Sequence, residues 1–175
     1  MPSAVREMMK VTDEGIAMAD SDVNLNMNNC DDGCATFDVQ RFLRGLDAIF
    51  DAHKAPEQAE PYLQKARTEA EHSHDDAGLL TVLNETMGFY RSHTDNLPII
   101  RESLSIADHL HLQEIDPQAW ATTLINAATG MRAAGRYEEA EQLYRQALDA
   151  ATSAFSPTDR RLAALHNNMS MLYSE

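Results

Sequence analysis

The sequence predicts an all-α protein built from packed helices. Glycine and proline are scarce, at seven and six of 175 residues, whereas an all-β chain needs turn residues every ten positions or so. Ala, Leu, Glu, Gln and Met, which favour helix, are abundant. Apolar residues recur three and four positions apart, and no segment alternates apolar and polar residues. Helix is therefore expected throughout the chain.

Helix start and stop signals divide the chain into segments of similar length. Asp116 before Pro117, and Ser156 before Pro157, each combine an N-cap acceptor with a proline at the first helical position. We also expect N-caps at Asp76 and Asn96, helix starts near Pro56 and Pro98, and a break between paired helices at Gly135. The predicted helices span residues 3–20, 37–53, 56–72, 76–92, 96–111, 117–134, 137–154 and 157–174.

The first 36 residues differ from the rest. Residues 21–36 are rich in Asn and Asp and lack a helical period, so they are expected to form a loop after the first helix. The sequence thus predicts an N-terminal helix and acidic loop over residues 1–36, followed by a helical repeat domain over residues 37–175.

The composition limits the classes of partner. The chain has 28 acidic residues and 14 Lys and Arg, a formal net charge of −14, which would repel nucleic acid phosphates and anionic lipid headgroups. It contains no run of 18 apolar residues and no signal-peptide h-region. Cys30 and Cys34 are too few for a disulfide framework. We expect a cytoplasmic protein that binds neither nucleic acid nor membrane.

An internal repeat is the most informative feature of the sequence. The chain realigns on itself at 40 to 42 residues, with repeats over about 37–75, 76–115 and 116–156 and a partial one over 157–175. Each repeat would pair a helix A with a helix B, and small residues at fixed positions would let the two helices approach closely. In the third repeat these pattern residues are Leu124, Ala127, Ala128 and Met131 in helix A, and Ala140, Tyr144 and Ala147 in helix B.

This pattern resembles the tetratricopeptide repeat, in the longer variety found in kinesin light chains. Armadillo and HEAT repeats have a similar period, but the block from Tyr137 to Ala147 fits the tetratricopeptide repeat. Asp47, Thr94 and Ser103 depart from its usual residues. The resemblance rests on Ala121 to Leu124, Asn126, Gly135 to Glu141, Leu143, Tyr144, Ala147, Leu148, Phe155 to Pro157, and Asn167 to Tyr173. It implies a right-handed superhelix, an α–α solenoid of antiparallel helix pairs, with about three repeats and a terminal helix.

The resemblance places helix A on the concave face, where exposed positions would bind a partner. Asparagine and arginine recur there. An amide can donate to and accept from an extended peptide backbone, and a guanidinium can bind a carboxylate. Alternatively, the asparagines cap or bridge neighbouring helices and the arginines pair with nearby acids. The candidate groove residues are Arg41, Arg44, Asn84, Arg91, Asn126, Thr129, Arg132, Asn167 and Asn168.

Other motifs give weaker indications. The run Asp20-x-Asp22-x-Asn24 begins like a calcium loop but lacks its glycine and its bidentate glutamate. Cys30 and Cys34 are separated by three residues, not by the two of a redox motif. The pairs His72-x-His74 and His109-x-His111 fall where a helix B ends, and histidine there favours the carbonyl end of the helix dipole. We therefore expect no cofactor, no metal and no catalysis.

The leading hypothesis is a non-catalytic interaction module that binds an extended peptide or partner protein, with an acidic segment, in its groove. The alternative is a sensory or regulatory domain of a signalling or transcription-regulating system. An all-helical enzyme or metal carrier that uses the histidines is a third. The last helix, without a following helix B, predicts either a homodimer through this helix or a chain that continues.

Overall fold

A computed structural model describes residues 36–52, 55–90 and 96–174. These residues form helices joined by short turns, with no strand among them. The predicted helix over residues 3–20 lies outside them. The helices in the described ranges are α1 (Val39–Asp51), α2 (Ala55–His72), α3 (Asp76–Phe89), α4 (Leu97–His109), the short α5 (Leu112–Ile115), α6 (Pro117–Ala133), α7 (Tyr137–Ala154) and α8 (Arg160–Leu172).

The helices pack in sequence as a helical-repeat solenoid. The pairs are α1 with α2, α3 with α4, and α6 with α7, and the second helix of each pair also packs on the first helix of the next. Helices α3, α6 and α8, each the helix A of its repeat, also contact one another in succession. The short α5, which the sequence did not predict, lies between α4 and α6. None of the described helices is both long and apolar enough to cross a membrane.

Small residues at the helix crossings account for this packing. Ala128 of α6 and Ala140 and Ala147 of α7 are each completely buried, so the two helices approach closely at these points. Tyr144, which lies between these two alanines in the sequence, is also completely buried, and its hydroxyl lies 3.1 Å from Thr129 Oγ1 of α6. The pattern predicted for helix B is confirmed in α2 as well, where Ala59, Leu63 and Ala66 are buried.

Two aromatic residues of the third repeat are not fully buried. Trp120 is only partly buried and Tyr137 is 45% exposed. Tyr137 is the first residue of α7, so its side chain extends past the packed part of the helix pair. At the other end of the chain, α8 buries Leu165 and Leu172, while Met171 and Tyr173 stay exposed. Packing on α7 thus covers only part of the apolar face of α8.

Carboxylate caps begin four of the helices in the described residues, and two of these caps lie at residues other than those predicted. Asp116 accepts from the Ala119 amide at 3.0 Å, as predicted. Helix α3, however, is capped by Asp75 and not by Asp76, through a 2.8 Å bond from the Gly78 amide. The N-cap of α3 therefore lies one residue before the predicted position.

The N-cap of helix α8 lies three residues later than the predicted cap at Ser156. Asp159 is the N-cap: its carboxylate accepts from the Arg161 amide at 2.9 Å and pairs with the Arg161 guanidinium at 2.7 Å. That guanidinium also lies 3.7 Å from the ring centre of Phe155. The ion pair and the ring contact hold residues 156–159 as a turn, so Pro157 precedes the helix.

Asn96 takes the N-cap position of α4 but does not cap it. Its side chain makes no capping hydrogen bond. Instead its Nδ2 donates to the Met87 carbonyl oxygen at 3.2 Å, and the residue is 1% exposed. Asn96 therefore ties the start of α4 to the last turns of α3.

Gly130→Ala tests the close approach of α6 to α4. A Cβ at Gly130 would lie 2.6 Å from Cδ1 of Ile100, which is completely buried, so the methyl group must displace a packed neighbour. Overpacking costs about 1–3 kcal/mol, which exceeds the gain of about 1 kcal/mol from alanine in a helix. We expect a lower free energy of unfolding in urea.

Gly88→Ala is the matched control, because no atom lies within 4 Å of the added Cβ. It should raise the free energy of unfolding by about 0.5 kcal/mol or more through helix propensity alone. Equal stabilisation by the two substitutions would contradict the close contact at Gly130.

Candidate functional site

Three asparagines form a row on successive helices A. Asn84 lies on α3, Asn126 on α6 and Asn168 on α8, 42 residues apart along the chain, and each is partly buried. The Asn126 Nδ2 donates to Asn84 Oδ1 at 3.1 Å. The Asn84 Nδ2 in turn donates to the Thr123 hydroxyl at 3.0 Å. Two repeats are therefore joined through side-chain amides on the helix-A side of the solenoid.

The third asparagine contacts a different residue. The Asn168 Nδ2 lies 3.5 Å from Thr129 Oγ1, at the outer limit of a hydrogen bond. The Thr129 hydroxyl donates to the Ile125 carbonyl oxygen at 2.8 Å and lies 3.1 Å from the Tyr144 hydroxyl. Thr129 is only 5% exposed, so the expectation that it lies on the exposed face is wrong. The Thr129 hydroxyl therefore forms hydrogen bonds with Ile125 and Tyr144 inside its own repeat.

Asn167 differs from the row, although it precedes Asn168. It is exposed, and its Nδ2 lies 3.8 Å from the Met171 sulfur one turn later. Such a contact is weak. The structure therefore links Asn84, Asn126 and Asn168 to neighbouring helices and leaves Asn167 on the surface of its own helix.

The hydrogen bonds of this row fit the interpretation that the asparagines bridge neighbouring helices. These hydrogen bonds are also compatible with peptide binding by the asparagines, because an amide has two N–H donors and two acceptor lone pairs. The bonds described use one donor each on Asn126 and Asn168. The amides can thus join the repeats and still offer hydrogen-bonding groups to a ligand.

The candidate arginines lie in different surroundings. Arg41 is exposed and pairs with Glu69 of α2 at 3.1 Å, within its own repeat. Arg44 is exposed on α1, and Arg132 is partly buried near the end of α6. Arg91 lies outside the described residues. The Arg41 contact is the pairing with a nearby acid that the alternative interpretation predicts.

An acidic pair between α1 and α3 was not recognised from the sequence. Glu85 of α3 is partly buried. Burial, and to a smaller extent the neighbouring Asp47 carboxylate, raise the pKa of its carboxyl from 4.5 to about 7. Asp47 stands where the repeat usually has a small residue, and this departure was the available signal. Asp47 is exposed on α1, and its carboxylate makes the surroundings of Glu85 more negative.

The histidine pairs do not assemble a metal site. The described residues contain no cluster of three or more His, Cys, Asp or Glu with suitable geometry. His74 and His111 both adopt left-handed backbone conformations, with φ of 51° and 52°, directly after the turns in which α2 and α4 end. His109 Nε2 lies 4.0 Å from Asp76 Oδ2. The Asp20 to Asn24 motif and both cysteines lie outside the described residues.

Glu85→Gln tests the burial of this carboxyl. The folded protein retains the Glu85 proton to higher pH than the unfolded chain does, so the free energy of unfolding falls as pH rises from about 4.5 to about 7. The neutral glutamine removes this loss. We expect Glu85→Gln to be more stable than the wild type by on the order of 2 kcal/mol at pH 8 and by little at pH 4.5, in urea unfolding.

Glu114→Gln, at an exposed carboxylate, serves as the control and should show no such pH-dependent difference. Asp47→Asn should reduce the difference between wild type and Glu85→Gln, because it removes the neighbouring charge. A difference that is the same at pH 4.5 and pH 8 would contradict the raised pKa.

Comparison with known proteins bears on about the last third of the chain. No curated protein and no solved structure matches the sequence. The family model described as tetratricopeptide repeat matches residues 121–175, a segment that includes most of α6 and all of α7 and α8. Asn126 and Asn168 lie within it and Asn84 lies before it. With the stacked helix pairs, this match supports a tetratricopeptide repeat protein.

Proposed function

We propose that this chain is a non-catalytic protein-binding module that holds an extended segment of a partner along its helices A. The observation that carries the proposal is the row of Asn84, Asn126 and Asn168 on three successive helices A, 42 residues apart. The same spacing favours the long variety of tetratricopeptide repeat found in kinesin light chains. Helical solenoids offer a long surface of this kind to their partners.

Amide groups suit an extended segment of variable sequence. An asparagine can accept from a backbone N–H and donate to a backbone C=O without reading the side chain between them. Partly buried amides are also held in place by their neighbours, which lowers the entropy lost on binding. The row would therefore contribute affinity, while other groups contribute selectivity.

Charge is the expected source of selectivity. Arg44 and Arg132 could each bind a carboxylate of the partner. Asp47 of α1 acts electrostatically on Glu85 of α3, and the Asp47 carboxylate would repel an acidic residue of the partner. We therefore propose that an acidic residue of the partner lies toward Arg132, on the α6 side of the groove.

Selection from a random peptide library tests the proposal. We expect peptides that bind the wild-type protein to bind Asn126→Ala/Asn168→Ala at least tenfold more weakly, since each net hydrogen bond contributes about 0.5–1.5 kcal/mol. Affinity would be measured by fluorescence anisotropy of labelled peptides. Urea unfolding of both proteins would confirm that the double variant is folded.

Gln64→Ala/Gln146→Ala is the matched control. Both glutamines are exposed on helices B, away from the proposed groove, so the affinity should stay within twofold. Equal affinity of the selected peptides for wild type and the asparagine variant would reject the row as the binding site.

Arg132→Ala tests the acidic partner separately. Selected peptides that contain Asp or Glu should lose affinity about threefold to tenfold, and the loss should shrink at high salt because the ions screen the charges. Arg145→Ala is the control, since Arg145 is exposed on α7 and pairs with Glu141 at 2.7 Å. An affinity that is unchanged by Arg132→Ala at low salt would reject this role.

A further inference from the structure

A chain of side-chain hydrogen bonds connects a buried threonine with the candidate groove. It runs from the Asn126 amide to the Asn84 amide and from there to the Thr123 hydroxyl. We propose that Thr123 and Asn84 are positioning residues for Asn126, and that the partner contacts Asn126 and not these two. This inference rests on the proposed function, and it separates Asn84, which positions its neighbour, from the members of the row that contact the partner.

Thr123 is inaccessible to any partner, because it is completely buried. Its hydroxyl accepts from Asn84 Nδ2 at 3.0 Å, across the boundary between α6 and α3. A buried hydroxyl that accepts an amide N–H holds that amide against rotation, since breaking the bond leaves a polar group unsatisfied. Thr123 therefore anchors Asn84.

Asn84 is engaged at both ends of its amide. Its Nδ2 faces Thr123 and its Oδ1 accepts from Asn126 Nδ2 at 3.1 Å. An oxygen can only accept here, so the nitrogen of Asn126 must face α3. The Asn126 amide is planar, and its oxygen then points away from Asn84. Asn84 thus decides which end of Asn126 is offered to a ligand.

The third asparagine has the same orientation. Asn168 Nδ2 faces Thr129 on the preceding helix A. The proton of the Thr129 hydroxyl is donated to the Ile125 carbonyl oxygen, so Thr129 can only accept from Asn168. Asn126 and Asn168 therefore both turn their nitrogen toward the preceding repeat, and both leave their Oδ1 for a donor such as a partner backbone N–H.

Nuclear magnetic resonance of the side-chain amides tests, without any ligand, whether Thr123 and Asn84 position the Asn126 amide. In Thr123→Val and Asn84→Ala, the Nδ2 signals of Asn126 should shift and its N–H exchange should quicken at least threefold. The Asn168 signals should not change, because a separate contact holds that amide. Loss of folding would move both sets of signals.

Thr86→Val is the control for Thr123→Val. Thr86 is also buried, but its hydroxyl donates to Val82 of its own helix at 2.7 Å. It should leave the Asn126 signals in place. Unchanged Asn126 signals in Thr123→Val and Asn84→Ala would overturn the positioning role.

The peptides selected for the proposed function supply the second measurement. Thr123→Val and Asn84→Ala should each weaken their binding threefold to tenfold, and Thr86→Val less than twofold. Weaker binding by Asn84→Ala alone would overturn the inference, because it would show that Asn84 itself contacts the peptide. If the library yields no binding peptide at all, the proposed function fails, and the Asn126 signals then test the hydrogen-bond chain alone.

Discussion

The close approach of helices across alanine is the constraint on which the rest of this structure depends. Ala127 and Ala128 in α6, and Ala140, Ala147 and Ala151 in α7, are all completely buried. Each brings two helix backbones near enough for the large side chains beside them to interdigitate. A repeat cannot bury its apolar face alone. The spacing set by these alanines therefore decides how α6 lies against α3 and α8.

That spacing brings polar residues of neighbouring helices A into contact. Side chains at such a boundary lose water and must find hydrogen-bond partners. Asn84 and Asn126 satisfy each other, and Thr129 satisfies Tyr144 and Asn168. The same amides that stabilise the stack are thus held in fixed orientations, which is what a binding surface for an extended chain needs.

Charged side chains have different surroundings on the helix-B side and on the helix-A side of the solenoid. On the helix-B side, Arg67 of α2 binds Glu102 of α4 through two bonds of 2.8 and 2.9 Å. On the helix-A side, Glu85 lies near Asp47, and its carboxyl keeps its proton to near-neutral pH. Arg67 therefore offsets the charge of Glu102 on the helix-B side, and the raised pKa reduces the negative charge of Glu85 on the helix-A side.

Local signals in the sequence determined the helices. Apolar period, the Asp116 cap and Gly135, with its φ of 73°, act over a few residues, and seven of the predicted spans agree with the described helices to within three residues at each end. The repeat pattern also predicted the burial of Ala127, Ala128, Ala140 and Ala147, because each repeat reuses one packing arrangement. The family match over residues 121–175 falls where that pattern is strongest.

The burial, the hydrogen-bond partners and the pKa shifts of the site residues were decided only by the tertiary structure. Thr129 was expected on the surface and is buried, Asn84 and Asn126 proved to bond each other, and Glu85 acquired a raised pKa beside Asp47. These properties depend on side chains roughly one repeat apart in the chain. Periodicity says that such residues occupy equivalent positions on adjacent helices. It does not give the distance between them, which the packing of the helices sets.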